Sequence, residues 1–178
     1  MDSSIRILNI GCGYKLEPGT DFVDFAPKDP KVVYCDIDSE RLPYADGTFD
    51  KVYSLCLFEH LTNHANYMKE AYRVLKKGGK LEIITDNAGF IGFHIPFGVS
   101  YNHGYNSIYA MNDKHFALFV DSHLRNYAEK FGFENVKVQY DVLEDPRFIF
   151  SVLKGILYSI LPKNMTATRI CLSAVKGD

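Results

Sequence analysis

Short apolar runs broken by glycine, proline and acidic residues organise the first half of the chain. Residues 5–10, interrupted by Arg6 and Asn9, end at Gly11 and read as a buried strand entering a glycine turn. Residues 22–25 and 32–37 are two further strands. Leu42-Pro43-Tyr44-Ala45-Asp46-Gly47-Thr48 forms a loop, because its proline and its Asp-Gly pair break both periodicities. Residues 51–58 are mostly apolar without clean alternation, as suits a central parallel strand covered on both faces. From 64 to 77 the apolar side chains Met68, Ala71, Tyr72 and Leu75 recur at helical spacing. Lys76 and Lys77 complement the C-terminal dipole of that helix, and Gly78 is expected to close it. Residues 80–85 follow as a fifth strand.

Beyond Asp86 the pattern gives way to a glycine- and aromatic-rich stretch. Residues 88–120 are therefore expected to be a loop or lid at the substrate site, inserted into one domain that spans 1–178. Asp121 is placed to cap a helix over 122–131, closed by Gly132, and 135–140 reads as strand six. Residues 148–161 form an apolar helix candidate stopped by Pro162, and 169–176 supply a last strand. Strands alternating with helices indicate an α/β sheet with helices on both faces. The 148–161 segment carries Lys154 as its only charge and is too short to span a bilayer. A core helix or the face of a homodimer ranks ahead of a peripheral membrane contact, because a basic polar face is missing.

At 178 residues and 47% apolar content, the chain encloses one core and leaves little for a second. Its net charge of −2 supplies no surplus to draw it onto nucleic acid, so no nucleic-acid partner is expected. Cys12, Cys35, Cys56 and Cys171 are widely spaced without a C-x-x-C pair, which fits reduced thiols and a cytoplasmic location better than a disulfide framework. No signal pattern opens the chain and no transmembrane segment is expected.

The chemistry begins at Gly11-Cys12-Gly13, where two glycines directly after a buried strand let a ligand approach the main chain. A dinucleotide fingerprint wants a third glycine where Leu16 stands, so a nicotinamide oxidoreductase is disfavoured. Asp24 ends the next strand, in position to grip a ribose diol, and Asp36 ends the third, where Ile37 can cover an adenine ring.

These residues occur with Leu42-Pro43-Tyr44-Ala45-Asp46-Gly47-Thr48-Phe49-Asp50, then Phe58-Glu59-His60-Leu61, then Glu70-Ala71-Tyr72-Arg73-Val74-Leu75-Lys76-Lys77-Gly78-Gly79. In that order the blocks resemble the class I S-adenosylmethionine-dependent methyltransferases of the type 11 group. The resemblance implies a Rossmann-like methyltransferase sheet, mostly parallel with an antiparallel last strand, and S-adenosylmethionine as cofactor. It implies that Gly11 and Gly13, with Asn9 and Cys12 beside them, line the methionine part. By the same resemblance Asp24 meets the ribose, Asp36 and Ile37 the adenine, and Leu55 the neighbourhood of the sulfonium. Two departures stand out. Asn9 replaces the family's usual aspartate, and only ten residues separate Gly13 from Asp24, so the first crossover must be a loop rather than a helix.

Methyl transfer from a sulfonium needs alignment above all, and no catalytic triad has to be visible. A hydroxyl acceptor also needs a base, for which His94, His103 and His115, in or beside the aromatic stretch, compete, with His103 and His115 taken as the catalytic candidates. Glu59, His60, Tyr101 and Tyr105 are candidate acceptor contacts. His60 and His64 share an i, i+4 spacing but lack the glutamate of a metalloprotease motif, so no metal is expected. The expected function is methylation of a small-molecule or glycan-related acceptor, most plausibly at oxygen. A non-catalytic, adenosyl-ligand-binding regulatory module of the same fold is the alternative.

Overall fold

A computed structural model describes residues 5–91, 115–141 and 159–177. His94, Tyr101, His103, Tyr105, most of the 88–120 loop and most of the 148–161 segment lie outside them. The strands are β1 (Ile7–Ile10), β2 (Thr20–Asp24), β3 (Val32–Tyr34), β4 (Phe49–Leu55), β5 (Leu75–Asp86), β6 (Phe133–Asp141) and β7 (Arg169–Lys176). They form one seven-stranded sheet in the order β3-β2-β1-β4-β5-β7-β6. The first five run parallel, and β7 runs antiparallel to both of its neighbours. This is the Rossmann-like methyltransferase sheet that the resemblance implied.

Helix α1 (His64–Val74) follows β4 through a 3-10 turn at Phe58–His60, and α2 (Asp121–Lys130) precedes β6; a single turn, α3 (Lys163–Thr166), leads into β7. The Asn63 side chain caps α1 by accepting from the Asn66 amide at 3.2 Å. Tyr67, Met68, Ala71 and Val74 bury the helix against Leu8, Val52, Leu81 and Ile83 of the sheet. Burying a side chain of the size of Met68 or Val74 contributes about 1.5–3 kcal/mol. Tyr67 keeps its hydroxyl satisfied in this core by a 2.8 Å bond to Ser54 Oγ.

Two terminal signals act differently from their sequence reading. Helix α1 stops at Val74, because Leu75 turns extended and pairs with Phe49 of β4. Gly78 does take the left-handed conformation, with φ +71°, but it does so within β5 and not as a helix cap. Val120, not Asp121, is the N-cap of α2 and makes no side-chain bond there. Asp121 instead lies inside the first turn and grips Arg125 one turn on. At the other end Gly132, with φ +86°, donates to Glu129 O and closes α2 as expected.

The first crossover is a loop. Because side chains alternate along β2, Val23 enters the main core while Phe22 points to the opposite face. There Leu16, from the loop at 14–19, packs on Cys12, Phe22 and Val32. Leu16 thus partly covers that face of the sheet. All four cysteines carry free thiols. No helix among the described residues is long and apolar enough to cross a membrane.

Candidate active site

Strand order reverses between β1 and β4, so the loops leaving their carboxyl ends diverge and open a crevice, the usual ligand position in open α/β sheets. A cleft of about 630 Å³ lies there. Gly11, Gly13, Asp24, Asp36, Ile37 and His60 line it, drawn from the ends of three strands and the turn after β4. Gly11 has φ +72° and donates its amide to Val23 O at 2.8 Å, which bends the chain sharply out of β1. Asp24 braces the short crossover: its Oδ2 accepts from the Gly13 amide at 2.9 Å and its Oδ1 from the Ala26 amide at 2.8 Å. Asp36 organises its own turn, accepting from Ser39 Oγ at 2.7 Å and from the Asp38 amide at 3.1 Å.

The other expected cofactor residues lie beside the wall and not in it. Cys12 is buried under Leu16, and Leu55 is the last residue of β4. Asn9 is buried two residues before Gly11, and its Oδ1 accepts no hydrogen bond among the described residues. Such an orphaned acceptor is costly unless a donor reaches it. An adenosyl ligand carrying an ammonium group supplies donors of that kind, and the acidic rim at Asp24 suits its ribose, so the residues fit the cofactor.

Several wall residues carried no signal in the sequence. Cys56 adopts φ +51°, rare for a side chain with a Cβ, and this twist at the end of β4 brings Cys56 and Leu57 to the cleft. Phe116 reaches the same wall from the far side of the 88–120 stretch. Its amide donates to Glu59 O at 2.8 Å, with a second bond from the Ala117 amide at 3.3 Å. That docking sets His115 against His60, ring centroids 4.4 Å apart and nearly perpendicular.

His60 itself lines the cleft, whereas His115 and Glu59 stand behind it. Glu59 is 1% exposed, and its Oε2 accepts from Thr85 Oγ1 at 2.6 Å. Burial pushes its carboxyl up, against the pull of that hydrogen bond. Burial, reinforced by the neighbouring His60, pushes the His115 imidazole down to about 4. At neutral pH that ring is uncharged, so its 3.4 Å approach to Asp86 is a dipolar contact and not an ion pair. His64 takes no part: its Nε2 meets Phe58 O at 2.9 Å, and its ring packs among Phe58, Phe119 and Tyr127.

The glycine turn yields a prediction. A Cβ at Gly11 would stand 2.8 Å from Leu57 Cδ1 at a φ that L-residues avoid, whereas one at Gly13 meets open space. Gly11→Ala should therefore lose about 1–2 kcal/mol of stability and, because the turn facing the cleft must shift, weaken adenosyl-ligand binding. Gly13→Ala should suffer from backbone strain alone. Calorimetry and thermal melts of the two variants check this ordering.

A seven-stranded sheet of this order with an acid-rimmed cleft at the β1/β4 divergence defines a class I nucleoside-cofactor fold. Residues 13–83 match the family described as "Methyltransferase domain", of the type 11 group. Ribosomal RNA-processing protein 8 of Rattus norvegicus is 30% identical over 123 residues, covering 66% of this chain and 26% of that protein. The 27-O-demethylrifamycin SV methyltransferase of Amycolatopsis mediterranei (strain S699) is 29% identical over 101 residues, covering 44% of this chain and 37% of that protein. A crystal structure of a SAM-dependent methyltransferase from Archaeoglobus fulgidus superposes with TM-score 0.67 at 17% identity, over 98% of this chain and 87% of that one. The chain spans about a quarter of the ribosomal RNA-processing relative. Over residues 13–83 the chain is thus similar to the methyltransferase domains of the type 11 group, and its fold is that of the class I S-adenosylmethionine-dependent methyltransferases.

Proposed function

We propose that this chain transfers the methyl group of S-adenosylmethionine to an oxygen of a small-molecule or glycan-related acceptor, as a single domain working in the cytoplasm. The observation that carries the reading is the cleft itself, which gathers Gly11, Gly13, Asp24, Asp36 and Ile37 from successive strand ends. Gly11 and Gly13 leave room for the methionine portion, Asp24 grips the ribose diol, and Asp36 with Ile37 holds the adenine. The cofactor supplies an electrophilic methyl on a positively charged sulfur. The protein supplies alignment, a contribution of about 7–11 kcal/mol in favourable cases. Of the two histidines described near the cleft, His60 lines it and is the better placed to face an acceptor hydroxyl; His115 braces it from behind. His103, Tyr101 and Tyr105 keep their candidacy as acceptor-side residues.

Oxygen as the target is supported by the rifamycin relative, whose name specifies methylation of an O-demethyl small molecule. The relative named for ribosomal RNA processing raises nucleic acid as an acceptor class. The net charge of −2 speaks against it, because duplex or single-stranded RNA is held largely through cationic contacts to phosphates. The second reading, a regulatory module that binds an adenosyl ligand without turnover, shares the cleft but needs no acceptor.

The test has two stages. Calorimetry with S-adenosylmethionine, S-adenosylhomocysteine and NAD should give binding of the first two only. A screen with methyl-labelled cofactor over hydroxylated small molecules, sugar nucleotides and RNA should then label one of the first two classes. Tight NAD binding would overturn the cofactor reading, and label in RNA alone would overturn the acceptor reading.

A further inference from the structure

We propose that Glu59, His60 and His115 form a binding site for a first-row divalent transition-metal ion in the inner wall of the cofactor cleft. One ligand atom from each residue lies within 4.8 Å of the others. Ligands around one ion at about 2.0–2.2 Å stand no more than roughly 4.4 Å apart, so small side-chain movements suffice to close the set. Two imidazole nitrogens and one carboxylate oxygen suit zinc, iron, cobalt or manganese better than magnesium or calcium, which prefer all-oxygen shells.

The three groups are built together. Glu59 and His60 are adjacent on the 3-10 turn, and the same Glu59 carbonyl that accepts from the Phe116 and Ala117 amides fixes the backbone next to His115. Thr85 Oγ1 orients the Glu59 carboxyl at 2.6 Å, and the Asp86 carboxylate stands 3.4 Å from His115 Nδ1. Glu59 is 1% exposed, yet no lysine or arginine pairs with it among the described residues. A carboxylate ionised there would need a compensating cation, and a metal ion would supply one. The i, i+4 partner of His60 is not the second imidazole, because the His64 ring is held by Phe58 O and its aromatic neighbours. His115, distant in sequence, takes that place.

His60 borders the cleft, so open coordination positions would face the acceptor. On the methyl-transfer reading above, the ion would bind the acceptor hydroxyl and promote loss of its proton to solvent. The oxygen then forms the new C–O bond as the methyl–sulfur bond breaks and its electron pair stays on sulfur, giving S-adenosylhomocysteine. The expected substrate class is accordingly an acceptor whose hydroxyl can ligate a metal.

The test uses the whole chain, stripped with a chelator and titrated with Co²⁺, followed by visible absorption and calorimetry. One equivalent should bind with ligand-field bands. His60→Ala and His115→Ala should each weaken it by about 100-fold; a cooperative thermal transition in both, and S-adenosylhomocysteine binding by His115→Ala, report an intact fold. Asp24→Ala should keep Co²⁺ and lose the adenosyl ligand, so failure of the cofactor reading and failure of the metal site are separable. Pulsed electron paramagnetic resonance of the Cu²⁺-loaded wild type counts coordinated imidazoles without any substitution, and two are expected. Absence of stoichiometric Co²⁺ uptake, uptake indifferent to both histidine substitutions, or fewer than two imidazoles on Cu²⁺ would overturn the site.

Discussion

Asp24→Ala is expected to weaken S-adenosylmethionine and S-adenosylhomocysteine binding by at least about 100-fold while leaving a folded protein. Each hydrogen bond to a charged partner is worth about 1.5–3 kcal/mol, and two lost to a ribose diol already reach that factor. A second effect adds to it. The same carboxylate holds the amides of Gly13 and Ala26, so its removal releases the loop that stands in for the first crossover helix. Asp24→Asn separates the contributions. It keeps one oxygen to brace a backbone amide but loses the charge and one acceptor, so its affinity should fall between wild type and Asp24→Ala. The reading carries a sharp test in calorimetry: wild-type affinity in the alanine variant would remove Asp24 from the cofactor site. The core beneath is built from Leu8, Ile10, Val23 and Val52, none of which relies on Asp24, so the thermal transition should remain cooperative.

The strands and the glycine turn were legible because each is a local pattern. Apolar runs closed by glycine or acid fix where β1 and β2 end, and the short spacing from Gly13 to Asp24, with Pro18 and Gly19 inside it, excludes a crossover helix. The length of α1 was not legible. Lys76, Lys77 and Gly78 look like a helix terminus, but the pairing of Leu75 with Phe49 draws the chain into β5 three residues earlier. Tertiary pairing overrode a local stop signal, and Asp121 lost its cap role to Val120 in a similar way. The meeting of His60 with His115 has no sequence signature at all. It depends on the Glu59 carbonyl receiving the Phe116 and Ala117 amides after a long excursion of the chain. Spacing rules found His60 and His64 instead, which the fold sends to different surroundings. The left-handed turn at Cys56 was equally silent, since nothing in a cysteine's chemistry favours positive φ.

Arg73→Ala should be strongly destabilising, at about 3–5 kcal/mol and a fall in melting temperature on the order of 10 °C. The Arg73 side chain is 12% exposed and Glu70 only 5%. Its Nε and Nη2 grip Glu70 at 2.9 and 2.6 Å, while Nη1 donates to Tyr44 O and Asp46 at 2.7 Å and Nη2 to Leu42 O at 3.0 Å. One guanidinium thus ties α1 to the loop that carries Pro43 and the Asp-Gly turn. Removing it leaves the buried Glu70 carboxylate with the Leu42 amide alone and takes a donor from the carbonyls of Leu42 and Tyr44. The loss depends on pH with a definite sign. Burial pushes the Glu70 carboxyl up, but the Arg73 and Leu42 hydrogen bonds outweigh it and hold the acid below its ordinary range. A lowered carboxylate contributes stability that is full above the unfolded value, about 4.3, and is lost as pH falls through the folded one. The gap between wild type and Arg73→Ala, measured by urea unfolding, should therefore be widest near neutral pH and narrow as pH falls through the lowered Glu70 value, below which Glu70 is neutral in both proteins. Replacing the pair together, as Glu70→Leu with Arg73→Met, should recover much of the loss, because no buried charge is then left without a partner. A double variant as unstable as Arg73→Ala would instead trace the damage to the loop carbonyls of Leu42 and Tyr44.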